Sequence, residues 1–285
     1  MEQIVYLNGA LLPRSQAKIS PFDLGFLYGY GLFETMRAYS GRIFRLDSHL
    51  ERLSSSAKLL GLPLNDFDIE KACYDTLQAN KLKDARIRLT VSIGEGEAVP
   101  DLPKHPKPTV LVIATSYAPP SAETYRNGYK ALVSALRQNS QSPLSHLKSA
   151  NYVNNVLARR EAKAASADEA ILLNEQGFLC EGSTSNIFLV SKRNLITPNR
   201  ESGCLPGITR QVVIELASEQ GISVSEREVR LEELLQAEES FLTSSLIELV
   251  PLTAVNGKSI GRGKVIERLM QAYKEAVAKE TKQGA

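Results

Sequence analysis

The sequence predicts an α+β chain, rich in strands and arranged in two lobes. Three observations lead there. Segments that alternate apolar and polar residues recur along the chain, interleaved with segments of helical apolar spacing. The length, 285 residues, suits two domains. Between two predicted strands, residues 116–127 (SYAPPSAETYRN) shift to Pro, Ser and Tyr, the composition of a linker. The expected domains are a smaller one over 1–120 and a larger one over 121–285 that carries Lys148.

The elements follow in order. IVYLNG is a strand running into an Asn8-Gly9 hairpin turn. LFETMRAY, the Ser40-Gly41 turn and RIFRL read as strand, turn, strand. In DSHLERLSSSAKLLGL, Leu46, Leu50, Leu53, Ala57 and Leu60 recur at helical spacing, with Ser48 and Glu51 as a capping box and Gly61 as the stop. Residues 68–80 form a second helix. ARIRLTVSI places Ile87, Leu89, Val91 and Ile93 on one face of a half-buried strand, and TVLVIAT is a buried strand. Beyond the linker, YKALVSAL is a strand and residues 151–165 a helix. EAILLN pairs with FLCE, and NIFLV with NLITP, as hairpins. The loop SGCLPG feeds the helix ITRQVVIELASEQ, closed by Gly221. A short helix (LEELLQA), a strand end (ESFLTSS) and an amphipathic terminal helix (VIERLMQAYKEAVAK) complete the chain.

Composition narrows the function classes. Hydrophobic residues make up 43% and charged ones 23%, and the net charge is +2, from 34 basic and 32 acidic side chains. That balance gives no reason to expect nucleic acid or an anionic membrane as partner. Three cysteines without CxxC spacing and three scattered histidines disfavour a disulfide framework or a metal site. The start, MEQIVYLNGALLPRS, lacks the pattern of a secretory signal, and no apolar run approaches 18 residues. The expectation is a soluble cytoplasmic protein. GxxxxGK[ST], GxSxG and HExxH are absent, and GEGE at 94–97 lacks dinucleotide-loop spacing.

Four positions carry candidate chemistry. Lys148, in SPLSHLKSANYVNN, has small and amide-rich neighbours. A lone lysine is ordinarily a solvated charge, but burial or a cationic neighbour turns one into a carbonyl nucleophile. The loop Ser202–Gly207 precedes Ile208 and Thr209, where a helix N-terminus suits a phosphate; an ordinary helix start reads the same way. Arg52 lies beside the apolar stripe of its helix, either a phosphate partner or a surface arginine. Glu181, in LCEGSTSNIF, ends a strand; such a carboxylate pairs with a protonated pyridine nitrogen or simply sits in a turn.

The segments ISPFDLGFLYGYGLFETMRAY, HLERL, HLKSANYVNNVLARREA, DEAILLNEQGFLCEGSTSNIFLV, GCLPGITRQVVIELA and FLTSSLIELVPLT stand in order over nearly the whole chain. Together they resemble the class IV, or fold type IV, pyridoxal-phosphate (PLP) enzymes: branched-chain aminotransferases, D-amino acid aminotransferases and 4-amino-4-deoxychorismate lyases. The resemblance implies a two-domain α/β fold of the D-amino acid aminotransferase kind, with PLP between the domains, in a homodimer whose partner subunit completes each site. It implies Lys148 as the Schiff-base lysine, Glu181 as the pyridine-nitrogen partner, and Arg52, Ile208, Thr209 and Ser245 as phosphate ligands, with Ser244 beside a small-molecule amino substrate. Tyr152 matches a tyrosine near the cofactor O3′, but follows Lys148 by four positions where branched-chain aminotransferases have five.

Within the family, the Arg-x-His carboxylate trap of the D-amino acid enzymes is missing from SIGEGEAV. FETMRAY has Thr35 where branched-chain aminotransferases usually carry glycine, and the lyases commonly place threonine there. Strand alternation sets Phe33, Thr35, Arg37 and Tyr39 on one face, so Thr35 reaches a site together with Phe33 and Arg37. Arg37 and Arg88 are candidates for substrate carboxylates. The resemblance thus favours the lyase, which eliminates pyruvate to give 4-aminobenzoate. The alternatives are a branched-chain aminotransferase acting with 2-oxoglutarate and a PLP-free interaction scaffold of the same fold.

Overall fold

In the computed structural model, which describes residues 2–97, 99 and 101–282, the chain divides into two compact units. The first comprises Met1–Ala118, Leu147–Asn151 and Glu280–Ala285, and the second Pro119–His146 and Tyr152–Lys279.

The first unit opens with the hairpin β1 (Ile4–Leu7) and β2 (Ala10–Pro13), with Asn8 and Gly9 both at positive φ in the turn. Next come α1 (Leu24–Tyr28), β3 (Gly31–Tyr39), β4 (Arg42–Ile43), α2 (Leu46–Leu59), α3 (Ile69–Ala79), β5 (Ala85–Ser92) and β6 (Thr109–Ser116). The strands form one antiparallel sheet in the order β2-β1-β6-β5-β3-β4. Leu32, Met36, Ile87, Leu89, Val91 and Val112 bury one face of it against Leu53 and Ala57 of α2 and Cys73 and Leu77 of α3. The alternation read from residues 87–93 is thus the core face, and its opposite face carries the polar residues.

The second unit contains α4 (Ala122–Asn127), β7 (Tyr129–Gln138), α5 (Val153–Ala164), β8 (Glu169–Asn174), β9 (Leu179–Gly182), β10 (Asn186–Ser191), β11 (Asn194–Pro198), α6 (Ile208–Glu219), β12 (Val224–Arg227), α7 (Leu231–Leu235), β13 (Glu239–Ser244), β14 (Glu248–Val255), β15 (Lys258–Ser259) and α8 (Lys264–Lys282). Its mixed sheet runs β12-β11-β10-β13-β14-β7-β8-β9, with β15 on β14. Ile171, Ile187, Leu189, Leu242 and Leu252 build its core with Val229 and Leu234, and Ala158 and Ala162 of α5 pack over Ala170, Leu172 and Cys180.

Four expectations change. The capping box at Ser48 and Glu51 does not form, because α2 already starts at Leu46; its N-cap is Arg45, in the left-handed region at φ +56°, with its N–H donated to Glu280 Oε1 at 2.6 Å. RIFRL is a strand only over Arg42–Ile43, since Arg45, in the left-handed region, turns the chain into α2 at Leu46. The linker segment contains α4, capped by Ser121 through the Thr124 N–H. Lys148 groups with the first unit rather than with the residues that flank it in sequence. The Phe33 N–H donates to the Lys148 carbonyl at 2.8 Å, the Ala150 N–H donates to that of Gly31 at 2.8 Å, and Ser149 bridges Leu32, so this stretch runs along the edge of β3.

Candidate active site

Strand alternation on β3 turns Leu32, Glu34, Met36 and Ala38 toward the helices and Phe33, Thr35 and Arg37 the other way. Register with β5 sets Thr90 opposite Phe33, Arg88 opposite Thr35 and Arg86 opposite Arg37, so three arginines share one face with Thr35. Lys148 is half-buried, and its Nζ lies 4.7 Å from the Phe33 ring centroid. The Arg88 guanidinium carbon stands 3.3 Å from the same centroid, with Nε donating to Thr90 Oγ1 at 3.2 Å. Two cations therefore gather on one aromatic ring, an arrangement that ring electrons stabilise and that concentrates positive charge on this face. Arg37 lies over the rings of Tyr39 and Tyr117, at 4.3 and 5.3 Å.

Arg52 reaches across the helix-facing side to Glu34. Its Nε donates to Oε1 at 2.8 Å and its Nη2 to Oε2 at 2.5 Å, while His49 Nδ1 meets the same Oε2 at 2.7 Å. Burial opposes charge on Glu34, but the Arg52 cation and the His49 hydrogen bond prevail and hold the carboxyl down at about 2. Burial lowers the His49 pKa despite the pull of Glu34, with the Arg52 and Lys148 charges acting the same way as burial. His49 is thus neutral at pH 7, with Nδ1–H as the donor. Arg52, expected as a phosphate ligand, also forms a buried ion pair with Glu34.

In the second unit, Glu181 is the last but one residue of β9, with 8% exposure. Its Oε2 accepts from the Leu205 N–H at 3.0 Å and from Asn186 Nδ2 at 3.4 Å, and Asn186 Nδ2 also donates to the Leu205 carbonyl at 2.9 Å. Asn186 starts β10 and pairs with Thr243 of β13, which leads into Ser244 and Ser245. The same asparagine abuts Gly207, the N-cap of α6, whose backbone has no side-chain cap; a Cβ there would lie 1.9 Å from Asn186 Oδ1. Glu181, Asn186, Ile208, Thr209, Ser244 and Ser245 therefore belong to one end of this unit. Tyr152, at the N-cap of α5, donates its hydroxyl to the Ser183 carbonyl at 2.9 Å.

The family profile described as Amino-transferase class IV matches residues 31–255. The chain belongs to the class IV aminotransferases. This family of PLP-dependent enzymes contains both aminotransferases and lyases. A Methanocaldococcus jannaschii protein provisionally named a branched-chain-amino-acid aminotransferase is 40% identical over 277 residues, 95% of each chain. The aminodeoxychorismate lyase of Bacillus subtilis is 35% identical, over 96% of this chain and 94% of its own. The T.th. branched-chain amino acid aminotransferase, solved with pyridoxamine 5′-phosphate, superposes at a TM-score of 0.91 with 31% identity, over 99% of this chain and 97% of its own. The fold is accordingly that of the two-domain fold type IV enzymes.

The residues at this end of the second unit fit a phosphorylated pyridine. The N-terminus of α6, a 12-residue helix, offers N–H groups for a phosphate behind a glycine whose side-chain space is already taken. Glu181 supplies a buried carboxylate, and the buried Thr243 Oγ1 next to Asn186 in the ladder has no partner among the described residues. Sequence reasoning passed over Glu34, His49, Arg86 and Asn186. The first two left a signal: a carboxylate in an apolar register of β3, and a histidine three residues before Arg52 on one helix face.

Proposed function

We propose that this class IV enzyme is a 4-amino-4-deoxychorismate lyase, releasing pyruvate and 4-aminobenzoate. The observation that carries the reading is Thr35, placed on the face that holds Phe33 beneath Lys148 and paired across the sheet with Arg88. A hydroxyl there serves proton transfer in a way the glycine usual in branched-chain aminotransferases does not. Arg37, Arg86 and Arg88 on that face suit a substrate with two carboxylates.

In this reading Lys148 would hold PLP, Glu181 would pair with its ring nitrogen, and Thr209, Ile208, Ser245 and Arg52 would serve its phosphate. Bound there, PLP supplies an electron sink for the carbon that bears the substrate nitrogen. Lys148 Nζ would take the proton from that carbon. The substrate's C–O bond then breaks, the ring becomes aromatic, and Thr35 relays a proton to the departing enolpyruvyl group, which becomes pyruvate. Arg37 and Arg88 orient the carboxylates, and Ser244 and Phe33 line the substrate.

The M. jannaschii relative, at 40% identity, supports the second reading, a branched-chain aminotransferase. There Lys148 would move the same proton without loss of pyruvate, and the substrate would leave as a keto acid. We also assign the enzyme to a homodimer, a reading supported by the exposed apolar side chains Phe22, Phe26, Val153 and Val156. The deciding experiment gives the purified enzyme aminodeoxychorismate and, separately, leucine with 2-oxoglutarate. Pyruvate and 4-aminobenzoate in the first reaction support the lyase; glutamate in the second with no product in the first reverses the assignment.

A further inference from the structure

Glu169 opens β8 at 1% exposure and has no part in the chemistry above. The turn joining β9 to β10 wraps its carboxylate. Ser183 Oγ and the Ala170 N–H donate to Oε1, the latter at 2.9 Å. Thr184 Oγ1 donates to Oε2 at 2.9 Å, Ser185 Oγ at 3.0 Å and the Thr184 N–H at 3.3 Å. Arg159 Nη1 of α5 stands 3.7 Å from Oε1. An ionised carboxylate only accepts, at about four lone-pair sites, and this donor set fills them. Three successive hydroxyls tied to one buried acid leave the turn a single arrangement, and at its start a Cβ on Gly182 would lie 2.2 Å from Ser185 Oγ.

That arrangement directs the Ser183 carbonyl toward α5. It accepts from the Tyr152 hydroxyl at 2.9 Å and from Asn155 Nδ2 at 3.0 Å. We propose that Glu169 is a positioning residue: by clamping the turn at residues 183–185 it fixes the Ser183 carbonyl, and through it the direction of the Tyr152 phenol proton. The functional consequence rests on reading Tyr152 as a neighbour of PLP; the positioning itself does not. The small and hydroxylic composition of GSTS then has a reason, since each hydroxyl is a ligand of one carboxylate.

The test uses the full chain labelled with 3-fluorotyrosine, the Tyr152 fluorine signal being the one missing from Y152F. Glu169→Gln moves that signal while the other tyrosine signals stay, and Glu169→Asp returns it part of the way. In the PLP-loaded enzyme, E169Q shifts the pH midpoint of the visible cofactor band by about half a unit or more, and adds nothing to the shift already caused by Y152F. Should E169Q fail to fold, the double variant T184A/S185A removes two donors to Oε2 and is read the same way. A Tyr152 signal that stays in place while thermal stability falls overturns the proposal, leaving Glu169 a stability residue only. A moved signal with a cofactor band indifferent to Y152F removes Tyr152 from the cofactor's side, and the failure then lies in that reading and not in the clamp.

Discussion

Glu34 and His49 are both almost inaccessible, at 1% and 2%, and their titration shifts act on stability in the same direction. On unfolding, His49 regains its ordinary value of 6.5 and Glu34 that of 4.5, both above their folded values. The unfolded chain then binds protons the folded one refuses, so stability falls as the pH drops below about 6.5 for His49, and again from about 4.5 toward 2 for Glu34. The thermal midpoint should decline from pH 7 to pH 5.5. His49→Gln should start lower at pH 7 and change less across that window; an equally steep decline in the variant would acquit His49. Thr35 carries the reaction-type prediction. Removing a positioned proton-transfer group typically costs 10²–10⁴-fold, so T35A should slow pyruvate release from aminodeoxychorismate by about a hundredfold in a direct lactate dehydrogenase-coupled assay. Unchanged release would strip Thr35 of its role.

The α6 N-terminus is shaped by its packing against Asn186. Gly207 has an ordinary φ of −71°, so its requirement is space rather than backbone freedom: Asn186 Oδ1 occupies the position of its missing Cβ. Gly207→Ala must push Asn186 away, and Asn186 in turn braces Glu181. Overpacking of this kind costs about 1–3 kcal/mol. The variant should lose a few degrees of thermal stability and bind PLP more weakly by equilibrium titration; wild-type affinity would detach this turn from the cofactor. Elements with strong local signals were legible in the sequence. The 87–93 alternation, the Asn8-Gly9 hairpin and the Gly221 stop all depend on residues within a few positions. The start of α2 was not legible, because Arg45 holds its left-handed conformation with help from Glu280, 235 residues away. Nor was α1, since five residues are too few for periodicity to register, although Asp23 caps it through the Gly25 N–H.

At the level of the whole chain, the fold class could be read from element order, whereas the path of Lys148 could not. Its segment joins the first unit by backbone pairing with β3, and backbone pairing leaves no mark on residue type. The buried partners Glu34, Asn186 and Glu169 were hidden for a related reason: each is intelligible only once its distant donors are known. A ligand that binds only the folded chain raises stability with its concentration, so PLP should raise the thermal midpoint progressively, and the Lys148→Ala variant should gain markedly less. The central claim, that Lys148 is the amine that holds PLP, is tested most directly by incubating the protein with PLP, reducing with borohydride and mapping the modified peptide by mass spectrometry. The account predicts a phosphopyridoxyl group on Lys148 alone; a stable adduct on another lysine, with Lys148 unmodified, would contradict it.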